Sequence, residues 1–340
     1  MKLIFSYGLF LLKMFIGIMV ITIITLLFIK KLLNRKKLQD GYLQLTPLDK
    51  KYHEMKNDML LAISSKKGKR WNSVKEKLSS IFKNNTKSEL KLNQDNKIIY
   101  VIDFKGSMDA KEVNYLREEI SAILLVASNN DQVLLRLESA GGLVHSYGLA
   151  ASQLQRLRNK GIFLTVVVDK MAASGGYMMA CVANHLIAAP FAVIGSIGVV
   201  AQLPNFHRFL KRHEIDIELH TAGEYKRTLT LFGENNDRGR QKLIEELQTT
   251  HQLFKKFIQD MRPTLDIDTV ATGEHWFGIQ ALEKNLIDEL GTSDDFILQK
   301  QDQCKLISVR YCISSKNQWF DNILNAIYQR IEYFLFKLIS

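Results

Sequence analysis

A serine between small residues is the first candidate for chemistry in this sequence. Ser174 lies in the run Ala172-Ala173-Ser174-Gly175-Gly176-Tyr177, at the start of an apolar stretch with helical character. Glycine beside a serine lets the hydroxyl protrude, and the N–H of the next residue then points into the same space, as in a nucleophile elbow. The alternative interpretation is structural, because serine is a favoured N-cap residue and Ser174 could simply cap the helix.

A nucleophilic serine needs a base. The chain has 8 histidines, but none lies in a recognisable triad context. A lysine can serve instead when burial lowers its pKa, because desolvation disfavours the charged ammonium. Lys226, in the segment 220–227, is one such lysine among 46 basic residues. Composition alone does not separate it from an ordinary solvated surface lysine.

Two more glycine turns follow predicted strands. They are Ser139-Ala140-Gly141-Gly142 and Gly195-Ser196-Ile197-Gly198. The carboxyl ends of parallel strands form the crevice in which ligands bind. Glycine permits close backbone approach there, and N–H groups at a following helix N-terminus are natural donors to an anion.

Alternating strands and helices must position these turns. Apolar and β-branched runs predict strands over 98–104, 133–137, 163–168, 185–188 and 193–200. Helical spacing predicts helices over 110–127, 147–157 and 238–261, followed by a helix-loop segment over 269–290. This alternation indicates parallel β-α-β units and hence an α/β fold.

Four motifs occur in order along this body. They are Glu138-Ser-Ala-Gly-Gly142, Asp169-Lys-Met-Ala-Ala-Ser-Gly-Gly-Tyr177, Gly195-Ser-Ile-Gly-Val199 and Thr221-Ala-Gly-Glu-Tyr-Lys-Arg227. Together they resemble the serine-lysine peptidase family of signal peptide peptidase A, over residues 98–315. Four ordered motifs make this resemblance far more specific than a single glycine pattern.

The resemblance implies a role for each site residue. Ser174 would attack a peptide carbonyl, and Lys226, neutral in its site, would be the general base and later the acid for the leaving amine. The N–H groups of Gly175 and of the Gly141-Gly142 turn would form the oxyanion hole. Ser196 would orient the lysine amine.

The resemblance also implies a fold and an assembly. The fold would be a crotonase/Clp-protease-like spiral of β-β-α units. Family relatives form rings in which neighbouring units supply the catalytic lysine and serine. Since this chain has one motif of each kind, it would form a homo-oligomer with shared active sites. The family commonly has proline before the glycine pair, where this chain has Ala140. The loss of proline costs about 0.4–1 kcal/mol of stability and leaves the N–H donors in place.

The positive charge lies almost entirely in the first part of the chain. The net charge is +11, and residues 1–97 carry 20 Lys and Arg against 7 Asp and Glu, whereas residues 98–340 carry 26 against 28. The nearly neutral body argues against a nucleic-acid partner. The basic stretch 31–97 reads as a polar linker with helical patches over 58–63 and 71–82, with some attraction to anionic lipid.

An apolar stretch near the N-terminus predicts a membrane anchor. Residues 7–29 are apolar apart from Lys13 and a few small or polar residues, and this length spans a bilayer core of about 30 Å. Lys30 and Lys31 follow in place of a small-residue cleavage site, which favours an uncleaved anchor over a signal peptide. The predicted location is the bacterial inner membrane. Lysine counting places the body on the cytoplasmic side, whereas the family resemblance implies the outer face.

Cysteine usage excludes a disulfide framework and gives no metal-ligand spacing. Cys181, Cys304 and Cys312 are odd in number, and a bridge from Cys304 to Cys312 stays open as an option beside buried thiols. No cofactor and no metal are expected. Apolar residues from Trp319 to Leu338 follow helical spacing, so this amphipathic helix either packs on protein or lies in the membrane interface.

These observations predict four segments. They are an anchor over 1–30, the basic linker 31–97, a peptidase domain 98–300, and a C-terminal strand and amphipathic helix over 301–340. The leading hypothesis is a membrane-anchored Ser/Lys endopeptidase that cleaves hydrophobic or unfolded peptides such as remnant signal peptides. The alternatives are a crotonase-like acyl-CoA enzyme and a catalytically idle membrane scaffold.

Overall fold

The computed structural model describes residues 41–64 and 97–313, together with Met14. Residues 43–311 form one compact unit, which contains all the predicted site residues. The predicted anchor over 7–29, Met14 apart, and the C-terminal helix over 319–338 lie outside the described residues. Among the helices that are described, none has the length and apolar character to cross a bilayer.

Strands and helices alternate through the described chain. The strands are β1 Gly41–Pro47, β2 Ile98–Gly106, β3 Gln132–Ser139, β4 Phe163–Val168, β5 Met171–Ala173, β6 His185–Ala188, β7 Val193–Gly195, β8 His275–Phe277, β9 Glu289–Leu290 and β10 Lys305–Ile313. The helices are α1 Leu48–Ser64, α2 Val113–Val126, α3 Val144–Asn159, α4 Gly175–Ala180, α5 His207–Arg212, α6 Asp237–Met261, α7 Ile267–Val270, α8 Gly278–Glu283 and α9 Ser293–Lys300. The chain therefore has the predicted mixed α/β architecture.

The described strands join into one sheet with a side branch. The main order is β1-β10-β2-β3-β4-β6-β9, and β5 leaves this path by pairing with both β3 and β7. The pairs from β10 to β9 along the main order, and both pairs of β5, are parallel. Only β7 and β8, among the pairs with a described register, are antiparallel. The predicted β-α-β arrangement is confirmed.

Side-chain alternation along the strands builds a core on both faces of the sheet. In β3, Val133, Leu135 and Leu137 belong to the main hydrophobic cluster, whereas Leu134 belongs to a second cluster on the other face. In α2, spacings of three and four residues bury Val113, Leu116, Ile120 and Ile123. Each such side chain contributes about 1.5–3 kcal/mol when it leaves water.

Several predicted boundaries need correction. The strand predicted over 193–200 ends at Gly195, because Ser196 has a φ of 52° that an extended strand excludes. The helix predicted from residue 110 begins at Val113, since Ala110 has a φ of 45°. The segment 269–290 contains two short strands as well as helices.

The basic linker and the cysteines also differ from what the sequence predicted or left open. The stretch predicted as a linker holds β1 and a helix, α1, that is longer than the patch predicted at 58–63. Cys304 is a free thiol, so the optional bridge from Cys304 to Cys312 is not formed.

Candidate active site

Ser174 stands at a strained turn between β5 and α4. It precedes the first residue of α4, and its backbone has φ 53° and ψ −119°, a region that a residue with a Cβ rarely occupies. The turn is held because the Ser174 N–H donates to the Gly195 carbonyl at 2.8 Å, while the Ser174 carbonyl accepts from Met178 at 3.0 Å. The Ser174 side chain makes no capping hydrogen bond. The helix-cap interpretation therefore does not explain this serine.

The Gly141-Gly142 turn lies against the turn that carries Ser174. A Cβ added to Gly141 would come within 2.7 Å of Ser174 Cβ and of the Gly175 nitrogen, so only glycine fits this approach. Gly141 also has a φ of 88°. At Gly142 the turn packs against the backbone of Met108. The Met108 carbonyl accepts the N–H of Leu143 at 2.9 Å.

The three predicted oxyanion donors are not equivalent. The Gly141 N–H donates to Ser139 Oγ at 3.0 Å, so it is already committed within the protein. Within residues 97–313, no acceptor is hydrogen-bonded to the N–H of Gly142 or Gly175. Gly175 is the first residue of α4, where N–H groups have no partner in their own helix. The arrangement therefore presents two open donors beside Ser174, not three.

Ser196 lies close to the turn that carries Ser174. It directly follows Gly195, the residue whose carbonyl accepts the Ser174 N–H. The Ser196 N–H donates to the Glu274 carbonyl at 2.6 Å, and its φ is 52°. The sequence-predicted Ser174, Gly141, Gly142, Gly175 and Ser196 are thus brought together by β3, β5 and β7.

Lys226 is the predicted residue that the single chain does not bring to this cluster. It is exposed, and within the described residues its side chain makes neither a hydrogen bond nor an ion pair. Its N–H donates to the carbonyl of Gly223, which has a φ of 96°. Within the described residues, no hydrogen bond joins Lys226 to Ser174.

The segment that carries Lys226 makes contacts within itself and with the start of α6. Phe206 donates its N–H to the Leu231 carbonyl at 2.7 Å, and its ring stacks on Phe232 at 6.1 Å between centroids. Near its end, the Tyr225 ring lies 5.1 Å from Lys242 Nζ of α6. Much of segment 199–236 is exposed, including the side chains of Val200 (89%), Phe209 (59%) and Leu219 (52%). Such apolar exposure is typical of a surface that another molecule covers.

Sequence reasoning missed the residues that support the turns. Ser139 is in the sequence only one residue of a motif, yet its hydroxyl accepts the Gly141 N–H at 3.0 Å and lies 2.6 Å from the Tyr147 hydroxyl. Tyr147 was predicted only as the start of a helix. The signal was available in principle, since a tyrosine on the apolar face of a helix one turn after a glycine pair needs a partner for its hydroxyl.

Comparison with known proteins agrees with these motifs. The profile of Peptidase family S49 matches residues 156–306, and that of Peptidase family S49 N-terminal matches residues 2–154. "Probable protease SohB" of Buchnera aphidicola subsp. Schlechtendalia chinensis is 53% identical over 309 residues, which are 88% of this chain and 100% of that protein. "Probable protease SohB" of Haemophilus influenzae is 62% identical over 213 residues, 63% of this chain and 60% of that protein.

A more distant relative matches a smaller part of the chain. "Protease 4" of Salmonella typhi is 27% identical over 179 residues, which are 51% of this chain and 28% of that protein. The family profiles and the SohB relatives together cover nearly the whole sequence. The chain therefore belongs to Peptidase family S49 and is a serine-type peptidase.

Proposed function

We propose that this protein is a membrane-anchored endopeptidase in which Ser174 and Lys226 form a catalytic dyad. One observation carries the proposal: Ser174 is held in a strained backbone with no capping hydrogen bond, beside the open N–H groups of Gly142 and Gly175. A hydroxyl and nearby N–H donors without an acceptor are the parts that acyl transfer requires.

The reaction follows from these positions. Ser174 Oγ attacks the peptide carbonyl carbon while its proton passes to the neutral amine of Lys226. The carbonyl oxygen becomes an oxyanion, which the N–H groups of Gly142 and Gly175 stabilise. Lys226 then gives the proton to the leaving amine as the C–N bond breaks, which leaves an acyl-enzyme. Water repeats the sequence with Lys226 as the base and releases Ser174.

The exposed position of Lys226 supports an assembly of several copies. A lysine acts as a base only in its neutral form, which burial favours and water disfavours. Because Lys226 makes no contact with Ser174 in one chain, we propose that the lysine of one copy enters the site of the next. The exposed apolar side chains of segment 199–236 would then be covered by the neighbouring copy. Ser196, one residue from the nucleophile's backbone partner, would receive the lysine amine.

We also propose that the sheet follows the spiral of β-β-α units that the family resemblance implies. The branch from β3 through β5 to β7 turns the sheet away from its main path, as a spiral of β-β-α units does.

Residues 7–29 supply the apolar length for an inner-membrane anchor. Release of the full-length chain from bacterial membranes by a high-salt wash would contradict this anchor. An anchored enzyme meets peptides in or near the bilayer, which favours hydrophobic or unfolded substrates such as remnant signal peptides.

Two substitutions test the dyad. Ser174→Ala removes the nucleophile and Lys226→Ala removes the base, and each is expected to lower kcat for a hydrophobic peptide by about a thousandfold or more. Ser152→Ala and Lys160→Ala are matched controls, since both residues are exposed and lie on or directly after α3. Both controls are expected to keep the wild-type rate.

The test has a clear negative outcome. If either dyad variant kept the wild-type kcat, that residue would have no part in the chemistry. The acyl-CoA enzyme and the idle scaffold are disfavoured as alternatives, because the chain belongs to a peptidase family.

A further inference from the structure

We propose that Tyr147 is a positioning residue for catalysis, which fixes the spacing between the Gly141-Gly142 turn and Gly175. This inference rests on the proposed function, because it concerns the two donors assigned there to the oxyanion. The Tyr147 hydroxyl bonds to Ser139 and Ser107 and, among the described residues, not to Ser174. It lies one turn into α3, where its N–H donates to the Leu143 carbonyl at 3.1 Å, and it is 0% exposed.

The Tyr147 hydroxyl is the centre of a directed hydrogen-bond chain. The carbonyl of Ser107 can only accept, so Tyr147 donates its one proton there, at 2.7 Å. The Ser139 hydroxyl, 2.6 Å from the Tyr147 oxygen, must then donate to Tyr147. Ser139 Oγ is left to accept the Gly141 N–H at 3.0 Å. Each proton in this series of hydrogen bonds therefore has a single acceptor. The series ends at the Gly141 N–H, so it holds the glycine turn in place.

The Tyr147 ring supports the other donor. A Cβ added to Gly175 would lie only 2.4 Å from Tyr147 Cγ and 2.8 Å from Tyr147 Cβ, so the backbone of Gly175 rests directly on the tyrosine. The ring thus sets the position of the residue whose N–H follows the nucleophile. One side chain contacts Gly175 with its ring and controls Gly141 through its hydroxyl.

Neighbouring glycines leave this tyrosine no room to shift. A Cβ on Gly106 would come within 2.4 Å of the Tyr147 hydroxyl oxygen, and a Cβ on Gly176 would come within 2.6 Å of the Ser139 carbonyl oxygen. Packing this close makes the position of the hydroxyl rigid. Burial also raises the pKa of Tyr147, so the phenol keeps the proton that it donates to Ser107.

The expected consequence is confined to the chemical step. Oxyanion donors act on the charge that develops in the transition state, so a small change in their spacing lowers kcat and leaves substrate binding nearly unchanged. A displacement of about 1 Å can cost about a hundredfold in rate. A residue that only stabilised the fold would lower the melting temperature without this separation of kcat from KM.

The test compares two tyrosines that each lose one buried hydroxyl. Tyr147→Phe keeps the ring on Gly175 and removes the link between Ser139 and Ser107. Tyr177→Phe is the matched control, because Tyr177 is also fully buried and its hydroxyl donates to the Leu286 carbonyl at 2.8 Å. For the full-length protein, Tyr147→Phe is expected to lower kcat by about 10- to 100-fold with KM within about twofold. Tyr177→Phe is expected to keep kcat within about threefold.

A second variant makes the result independent of the folding of Tyr147→Phe. Ser139→Ala breaks the same chain at its middle, so it is expected to lower kcat by a similar factor. The double variant is expected to be no worse than the poorer single one, because both act through one chain. Wild-type kcat in Ser139→Ala, additive losses in the double variant, or an equal loss in Tyr177→Phe would each overturn the proposal.

The same assay separates this inference from the dyad itself. Ser174→Ala, measured beside these variants, reports whether the proposed nucleophile performs the hydrolysis. If Ser174→Ala stays active, the proposed function fails. If Ser174→Ala is inactive and Tyr147→Phe matches the wild type in kcat, only the role of Tyr147 fails.

Discussion

The backbone conformation of Ser174 is maintained by its neighbours, not by its own side chain. Its φ of 53° and ψ of −119° cost free energy, and the hydrogen bond to Gly195 and the contact with the Gly141 turn hold the residue there. The sequence indicated a small-residue turn at this point but left the helix-cap interpretation open. The absence of a capping hydrogen bond from the Ser174 side chain counts against the helix cap, and a single sequence does not show that hydrogen bond to be missing.

The two open donors could be only partly predicted. The glycine pair after β3 predicts a turn, but the sequence does not distinguish the N–H group of Gly141 from that of Gly142 as a free donor. Which N–H stays open depends on Ser139, whose hydroxyl turns back onto the Gly141 nitrogen. A side chain that binds its own turn leaves no distinct pattern, because serine is common beside glycine for many reasons.

Substitution of Gly141 tests the close approach of the two turns. Gly141→Ala places a methyl group 2.7 Å from Ser174 Cβ and the Ala173 carbonyl oxygen, at a φ of 88° that disfavours alanine. We expect a loss of about 1–3 kcal/mol in the free energy of unfolding and a fall in kcat. Urea unfolding and peptide hydrolysis measure the two effects.

Gly148 provides the matched control for that substitution. It lies within α3, and a Cβ there would meet nothing within 4 Å. Gly148→Ala is therefore expected to raise the free energy of unfolding by about 0.5–1 kcal/mol, with activity unchanged. Equal stability of the Gly141→Ala and Gly148→Ala variants would show that the turns do not touch.

At the scale of elements, buried strands were the most predictable parts. The strands predicted at 163–168 and 185–188 have those bounds in the structure, because continuous apolar runs leave little choice of conformation. The strand β1 was missed since its sequence, Gly-Tyr-Leu-Gln-Leu-Thr-Pro, is mostly exposed and its apolar residues are few. The short strand β8 depends on pairing with β7, which a sequence does not display.

A buried glutamate joins α2 to β10. Glu119 lies on the apolar face of α2 and accepts the Tyr311 N–H at 2.8 Å. Burial raises the pKa of Glu119 to about 7, and Asp103 adds to this, while the Tyr311 N–H and Arg310 act against it. The folded protein therefore binds a proton that the unfolded chain has already lost between pH 4.5 and 7.

Stability is expected to fall as pH rises through this range. The contribution of Glu119 is fully present below the unfolded pKa and is lost as pH passes about 7, which amounts to about 2–3 kcal/mol between pH 5 and 8. Glu119→Gln keeps an acceptor for Tyr311 and should remove this part of the pH dependence. Urea unfolding at both pH values measures it, with Glu118→Gln as the control on the same helix, since the Glu118 side chain is 44% exposed. An unchanged pH profile in Glu119→Gln would place the titration elsewhere.

At the scale of the whole molecule, the distribution of charge and the exposed apolar side chains indicate what the protein contacts. The positive charge of residues 1–97 adjoins the predicted anchor, which fits the proposed membrane attachment better than a nucleic-acid partner. The exposed apolar residues of segment 199–236 belong to the same segment as Lys226, the proposed base. The sequence motifs predict Lys226 as the base, but within the described part of one chain no hydrogen bond joins it to Ser174. The arrangement of copies is a property of an assembly, and a single sequence does not specify it.

Co-assembly of two inactive variants tests this account most directly. Ser174→Ala and Lys226→Ala are expected to be inactive alone, and their coexpression should restore about a quarter of the wild-type activity. Each restored site combines the serine of one copy with the lysine of its neighbour, and random mixing forms one such site in about four. A double variant carrying both substitutions, coexpressed with either single one, is the inactive control. Absence of any activity in the coexpressed pair would contradict a dyad shared between copies.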